Sequence, residues 1–280
     1  MLESATLLCR FAVPRLKLHF RVVPFDRPME DIKRFFNEKN EVSSNAEIDF
    51  GQTQDYLEIV KAFSRITYQS IYIIDYQKKS FEYVSDNPLF LCGKSSEEVK
   101  EMGYGFYFQY VKPEDLEMLV KINEVGFDFY EKLPLEERKQ YTISYDFHII
   151  NERKNVVLIN HRLTPIFLTK DGKIWMAMCI VSLSNSNTAG NISISKDGSD
   201  DIWRYDVEFH QWVQEEKIKL SQREYEILSL YASGLTINEI AVKLFITADT
   251  VKFHRKKLFE KIGANNIAEA LAYAKANKLL

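Results

Sequence analysis

Apolar and polar positions follow two different periods along this chain. In the middle, short apolar runs are punctuated by turn residues. Ser70-Ile71-Tyr72-Ile73-Ile74-Asp75 and Phe81-Glu82-Tyr83-Val84, separated by Tyr76 to Lys79, predict a β-hairpin. Three longer runs, Tyr141 to Ile150, Val156 to Leu168 and Lys173 to Leu183, predict three further strands. Their separators, Asn151 to Asn155 and Thr169-Lys170-Asp171-Gly172, have the polar and Asp-Gly chemistry of antiparallel turns. Between the hairpin and these strands short helices are expected. Ser95-Ser96-Glu97-Glu98 offers a capping box, and Pro113-Glu114-Asp115-Leu116 places proline and two acids in a first helical turn. Residues from about 184 to 201 are rich in Ser, Asn, Gly and Asp and read as a linker. Beyond them, Ile202 to Asp206 and Glu208 to Trp212 predict a small aromatic hairpin, an exposed brace at the linker's end.

After Lys219 the period becomes helical. Ser221 and Glu224, Thr236 and Glu239, and Asn266 and Glu269 each place a cap residue three positions before a glutamate, which satisfies orphan amides at a helix start. Thr247 caps a fourth helix, and Gly234 sits where a helix needs a left-handed stop. Ile240, Ala241 and Leu244 form one stripe, and only Phe245 to Ala248 separate that helix from the next. A helix, a tight turn and a second helix predict a helix-turn-helix. In the second helix Val251, Leu258 and Ile262 face a core, whereas Lys252, Phe253, Lys256 and Lys257 fall on other faces. A run of charge is often only a solvated face. Here Thr247, Thr250, Lys252, Arg255, Lys256 and Lys257 crowd a helix that follows a tight turn, and that is what phosphates and major-groove base edges require.

Charge sharpens this division. The formal net charge is -3, yet from Lys217 onward 11 Lys and Arg face 6 Asp and Glu, a net of +5 against -8 for the remainder. Only the back of the chain is suited to a polyanion. The 280 residues allow about two domains, and 46% hydrophobic with 28% charged residues is a globular balance. Cys9, Cys92 and Cys179 are odd in number and lack metal-ligand spacing, which argues against a disulfide framework or zinc site and for a reducing compartment. Arg10 interrupts the apolar run from Leu7 to Val13, so no signal peptide is expected. No uncharged apolar stretch reaches the length of a membrane span. A cytoplasmic protein with no membrane contact follows. Met29 to Phe36 reads as an amphipathic helix, so residues 1–28 are expected to be a disordered tail or to precede the native start.

Leu220-Ser221-Gln222-Arg223-Glu224, Gly234 to Ala241, Thr250-Val251-Lys252-Phe253-His254 and Lys261-Ile262-Gly263-Ala264 closely resemble the LuxR-type DNA-binding domain over residues 218–277. The resemblance implies a four-helix module with the helix from Ala248 to Ile262 in the major groove. It also implies that the helix from Ile267 to Ala276 is a dimer surface and that half-sites form an inverted repeat. Position by position, Lys252, Phe253 and Lys256 match base-facing residues, and Thr247, Thr250 and Lys257 match phosphate contacts. His254 matches too, and Arg255 adds to the basic set. Phe253 departs from the small or polar residues common at its position and could meet a thymine methyl.

The front resembles a PAS sensor domain over residues 51–184, on Tyr83-Val84-Ser85-Asp86-Asn87, Gly93 to Glu98 and Lys112 to Leu116, which lacks the usual histidine before the proline. That resemblance implies a five-stranded antiparallel sheet flanked by helices, usually dimerising and sometimes enclosing a ligand. His19, His148, His161, His210 and His254 leave the helical stretch Pro88 to Lys132 without an axial ligand, so haem is not expected. Cys92 lies in Leu91-Cys92-Gly93-Lys94, unlike the Asn-Cys-Arg-Phe run of photoactive flavin members. Cys92 and Cys179 are therefore expected to be small core residues, with no cofactor. His148 and His161 are assigned structural roles. The aromatics Tyr104, Phe106, Tyr107, Phe108, Tyr110, Phe127, Phe129 and Tyr130 are expected to fill the core.

The expected class is α+β, a PAS-like five-stranded antiparallel sheet with flanking helices followed by an all-α four-helix domain. The segments are 1–50 (tail and helix), 51–184 (sensor and dimerisation), 185–216 (linker with aromatic hairpin) and 217–280 (DNA binding). The function expected is transcription regulation without catalysis. Its partners would be double-stranded DNA, a second copy of the chain, RNA polymerase, and an unassigned small-molecule or protein signal at the front. A sigma factor is disfavoured by Lys261 to Ala264 and by the front sheet. A catalytic front lacks a glycine loop, metal spacing or nucleophile motif, and a receiver domain would need alternating strands and helices with an acidic cluster.

Overall fold

The two apolar runs near residue 70 pair as the pattern requires. In the computed structural model, which describes residues 32–48, 51, 55–277, 279 and 280, β1 (Ser70–Asp75) and β2 (Ser80–Val84) are antiparallel, with Tyr72 opposite Val84. β3 (Tyr141–Ile150), β4 (Val156–Leu168) and β5 (Ile174–Leu183) follow as a meander, and β5 returns to lie against β1 with Ile73 opposite Met178. These five strands have helices on both faces. α2 (Pro88–Leu91), α3 (Ser96–Met102), α4 (Gly105–Tyr110) and α5 (Pro113–Glu131) supply Phe90, Val99, Phe106 and Ile122 to the main core. On the opposite face, Tyr56 and Val60 of α1 (Tyr56–Ile66) pack against Ile73, Trp175 and Met176. An antiparallel sheet flanked by helices is what the PAS resemblance implies. The local signals also hold, since Ser95 and Glu98 cap α3 reciprocally and Pro113 opens α5.

The sheet does not end at five strands. Among the described residues it has eight, in the order β2-β1-β5-β4-β3-β6-β7-β8, and the last three occupy the segment expected to be a linker. β6 (Gly190–Lys196) pairs with β3, and β7 (Asp201–Asp206) and β8 (Gln211–Glu216) extend it as a hairpin. The reason is alternation hidden beneath a polar composition. In Gly190-Asn191-Ile192-Ser193-Ile194-Ser195-Lys196, Ile192 and Ile194 are buried in the main core while the serines face away. The aromatic hairpin is correspondingly no free brace, because Trp203 and Trp212 stand 5.5 and 5.3 Å from Phe129 of α5. Of the expected helix Met29 to Phe36, residues 29–31 lie outside the described set, as do 1–28. Phe35 is buried and stacks on Tyr107 at 5.6 Å.

The expected core aromatics are core. Tyr104, Phe106, Tyr107, Tyr110, Phe127 and Tyr130 are buried, and Phe108 and Phe129 are partly so. Cys92 and Cys179 are buried thiols, and burial pushes Cys92 up to about 12 and Cys179 higher, which keeps both protonated. The two histidines differ. His148 is half-buried, with Nδ1 2.8 Å from the Asp115 carboxylate, which also accepts the His148 backbone N–H. His161 is buried at the centre of the sheet, with Nε2 2.6 Å from the Tyr72 hydroxyl, which in turn meets Tyr107; among the described residues its Nδ1 has no hydrogen-bond partner.

Burial holds the His161 imidazole down to about 3. Above about pH 6.5 it is neutral whether the chain is folded or unfolded. Below that, the unfolded chain takes up a proton that the folded chain refuses, so stability is lost as pH falls from about 6.5 toward 3. The loss is about 1.4 kcal/mol per pH unit for this group alone. Thermal unfolding between pH 7 and 4 is therefore expected to show a shallower fall for His161→Gln than for the native chain. Parallel slopes would mean that His161 protonates in the folded state.

Candidate nucleic-acid interface

The carboxyl-terminal helices are α6 (Gln222–Ala232), α7 (Ile237–Lys243), α8 (Ala248–Ile262) and α9 (Ile267–Ala276). Each starts at the cap expected of it. Ser221 and Thr236 form full capping boxes with Glu224 and Glu239. Asn266 accepts the Glu269 amide at 2.9 Å, but the Glu269 carboxylate reaches back to the amide of Asn265, one residue earlier than expected. α6 stops at Gly234, whose φ of 83° is the left-handed conformation that glycine adopts without strain. Leu235 N–H then bonds back to Leu230 O at 3.1 Å.

Two small cores hold the module. Ile227, Ile240, Ala241 and Val251 lock α6, α7 and α8 together, and Leu228, Leu258, Ile262, Ala270 and Ala274 attach α9. A half-exposed ion pair on the buried Glu224 adds a polar latch. The Glu224 carboxylate accepts from the Ser221 amide and from Lys261 Nζ, both at 2.8 Å, tying the start of α6 to the end of α8. Burial raises its pKa, but the Lys261 ammonium and the Ser221 donors outweigh that and hold Glu224 below the ordinary carboxylate range. Lys261 is thereby tied to Glu224 although its side chain is partly exposed.

Because α8 is fixed by Val251, Leu258 and Ile262, its opposite side faces solvent. Lys252, Phe253, Lys256 and Lys257 are exposed together there. At the amino end Thr247 accepts the Thr250 amide at 3.1 Å, and the two hydroxyls lie 2.8 Å apart, beside the amides of the first turn. A helix start with hydroxyls and amides favours an anion. Arg255 and His254 are not on the outer side. Both are half-buried on the flanks, with the Arg255 guanidinium 5.8 Å from the Phe259 ring centre.

Three features escaped the reading of the basic run. Lys252 is paired with Asp249 at 2.9 Å, and Lys256 with Glu260 at 3.7 Å, as the i,i+3 and i,i+4 spacings allow. The Lys257 ammonium lies 4.7 Å from the centre of the Phe253 ring, also an i,i+4 pair. Phe245, in the turn between α7 and α8, is 95% exposed at a φ of 55°. Among the described residues no group of three or more His, Cys, Asp or Glu is placed to hold a metal ion. Nor is any helix there long and apolar enough to cross a membrane.

Four capped helices, with the third presenting a basic outer side after a tight turn, define a helix-turn-helix module. Residues 219–274 match the family of bacterial regulatory proteins of the luxR type, so this part of the chain is a LuxR-type domain. It is 43% identical over 61 residues to the probable transcriptional regulatory protein NarL of Mycobacterium tuberculosis, covering 22% of this chain and 28% of that one. The chain spans under a third of the length of the curated relatives it matches first. Among solved structures, the VqmA dimer of Vibrio cholerae is 18% identical over 80% of this chain and 88% of its own, at a TM-score of 0.32. A PAS domain from Colwellia psychrerythraea is 15% identical over 46% of this chain and 95% of its own, at 0.34.

Proposed function

We propose that the protein is a cytoplasmic, DNA-binding transcription regulator that acts by binding rather than catalysis. In this reading residues 217–280 engage DNA and residues 51–184 sense a small-molecule or protein signal and hold two copies together. The observation that carries it is the outer side of α8, where Lys252, Phe253, Lys256 and Lys257 stand exposed behind a threonine-capped helix start in a LuxR-type domain. Lys252, Phe253 and Lys256 would face base edges, and Thr247, Thr250 and Lys257 phosphates. His254 and Arg255, on the flanks, would steady the groove contact from either side. The name of NarL, a probable transcriptional regulatory protein, supports the assignment for the matched domain. RNA polymerase is the partner through which bound protein would change transcription.

Selection of bound duplexes from a random pool by the full chain tests this reading. An enriched inverted repeat is expected, because a two-fold protein places two α8 helices in successive major grooves. An unenriched pool would overturn the assignment.

A further inference from the structure

The outer side of α8 carries one group that does not belong on a surface built for phosphate. Phe253 is 54% exposed and lies nearly opposite the buried stripe of Val251, Leu258 and Ile262, at the apex of the helix. Its neighbours there are charged: Asp249, Lys252, Lys256 and Glu260. The ring is also held in place. The Lys257 ammonium covers one face at 4.7 Å, and the His254 ring packs against it at 5.5 Å and 73°. A pinned apolar ring at the apex must be the first part of the helix to meet the floor of a groove.

The major groove offers such a ring a single apolar contact. Every base pair presents donors and acceptors there, but only thymine also presents a methyl group. A phenyl ring set over the amino group of cytosine or the N7 and O6 of guanine would strip water from those groups and return no hydrogen bond. Over thymine it buries apolar surface instead. We propose that Phe253 reads the C5-methyl group of a thymine, so that each half-site carries a T·A pair at the step beneath it. Lys257 leaves the ring face for a phosphate, which frees that face for the base, while His254 keeps its edge contact with the ring. This rests on α8 entering the major groove, and it names the base selected at the centre of the contact.

Replacing thymine by uracil removes only the methyl group, so the test is a scan of the selected operator, one thymine at a time. For the full-length chain, one thymine per half-site is expected to weaken binding about three- to fivefold when replaced, the worth of one buried methyl group. Phe253→Ala is expected to bind thymine and uracil operators alike. Phe253→Asn, whose amide suits the N6 and N7 of adenine, is expected to shift the selected base at that step from thymine to adenine. The ring packs in no core, so both variants fold. Unchanged binding at every uracil position, with sequence-specific binding intact, would overturn the thymine assignment alone. The same holds if Phe253→Ala keeps the native uracil effect. Loss of selective binding by the native chain to all DNA would overturn the groove assignment beneath it.

Discussion

Lys252→Ala and Lys256→Ala are each expected to weaken binding to the selected operator by about 1–3 kcal/mol and to relax base preference, the cost of losing a base-edge contact. Both lysines are free to make that contact at little expense. Their pairs with Asp249 and Glu260 are solvent-exposed, and such pairs contribute about 1 kcal/mol or less. Lys257→Ala should behave differently. It should weaken operator and random duplex alike and reduce the slope of log affinity against log salt by about one, as removal of one phosphate contact does. Fluorescence anisotropy on both duplexes at several salt concentrations separates the two patterns. Equal losses on specific and random DNA for all three variants would show that the base-reading side of α8 lies elsewhere.

A fragment spanning residues 215–280 is expected to bind a two-half-site operator at least about tenfold more weakly than the full chain. The fragment has what it needs to fold, since its two cores and the Glu224–Lys261 latch are internal to it. It lacks a partner. One small module buries about 600–1,000 Å² on DNA, whereas two heads on one scaffold bind the second half-site at a raised effective concentration. Sedimentation should show the full chain as a dimer at micromolar concentration. A monomer, or a fragment that matches the full chain on the operator, would remove the front domain from any organising role.

The carboxyl-terminal module was open to reading because its signals are local. A cap lies three residues from its glutamate, a core stripe repeats every turn, and a left-handed stop needs Gly234. Proximity in sequence is proximity in a helix. The meander from Tyr141 to Leu183 was legible for the same reason, with polar turns placed between runs rich in apolar residues. β6 was obscured because its serines, asparagine and glycine dominate the composition, and only the spacing of Ile192 and Ile194 reports a strand. The contact between Tyr72 and His161 spans 89 residues and two strands, and nothing local announces it. At the interface the basic residues were legible, but their division was not. Three lysines stand on the outer side of α8 with Phe253 among them, while Arg255 turns to the flank and Lys261 is held by Glu224.

Continuity of the sheet changes how a signal at the front could reach the heads. Only residues 217–220 separate the last strand from the Ser221 cap of α6, and even these are tied back: the Lys217 amide donates to Asp200 O at 2.6 Å, its ammonium to Ser199 O at 2.6 Å, and Lys219 pairs with Asp200. A loose tether would let each head swivel and would transmit nothing but proximity. β6 is instead hydrogen-bonded to β3, β7 to β6 and β8 to β7, so the three strands form a continuous vane between the front sheet and the head. On the proposed reading of the front as sensor, a change of twist at β3 would reach the head through three paired strands rather than through a tether. On the same reading, the strands between front and head set how far a twist is geared, and shortening the vane would disturb head placement without touching the DNA-facing side of α8.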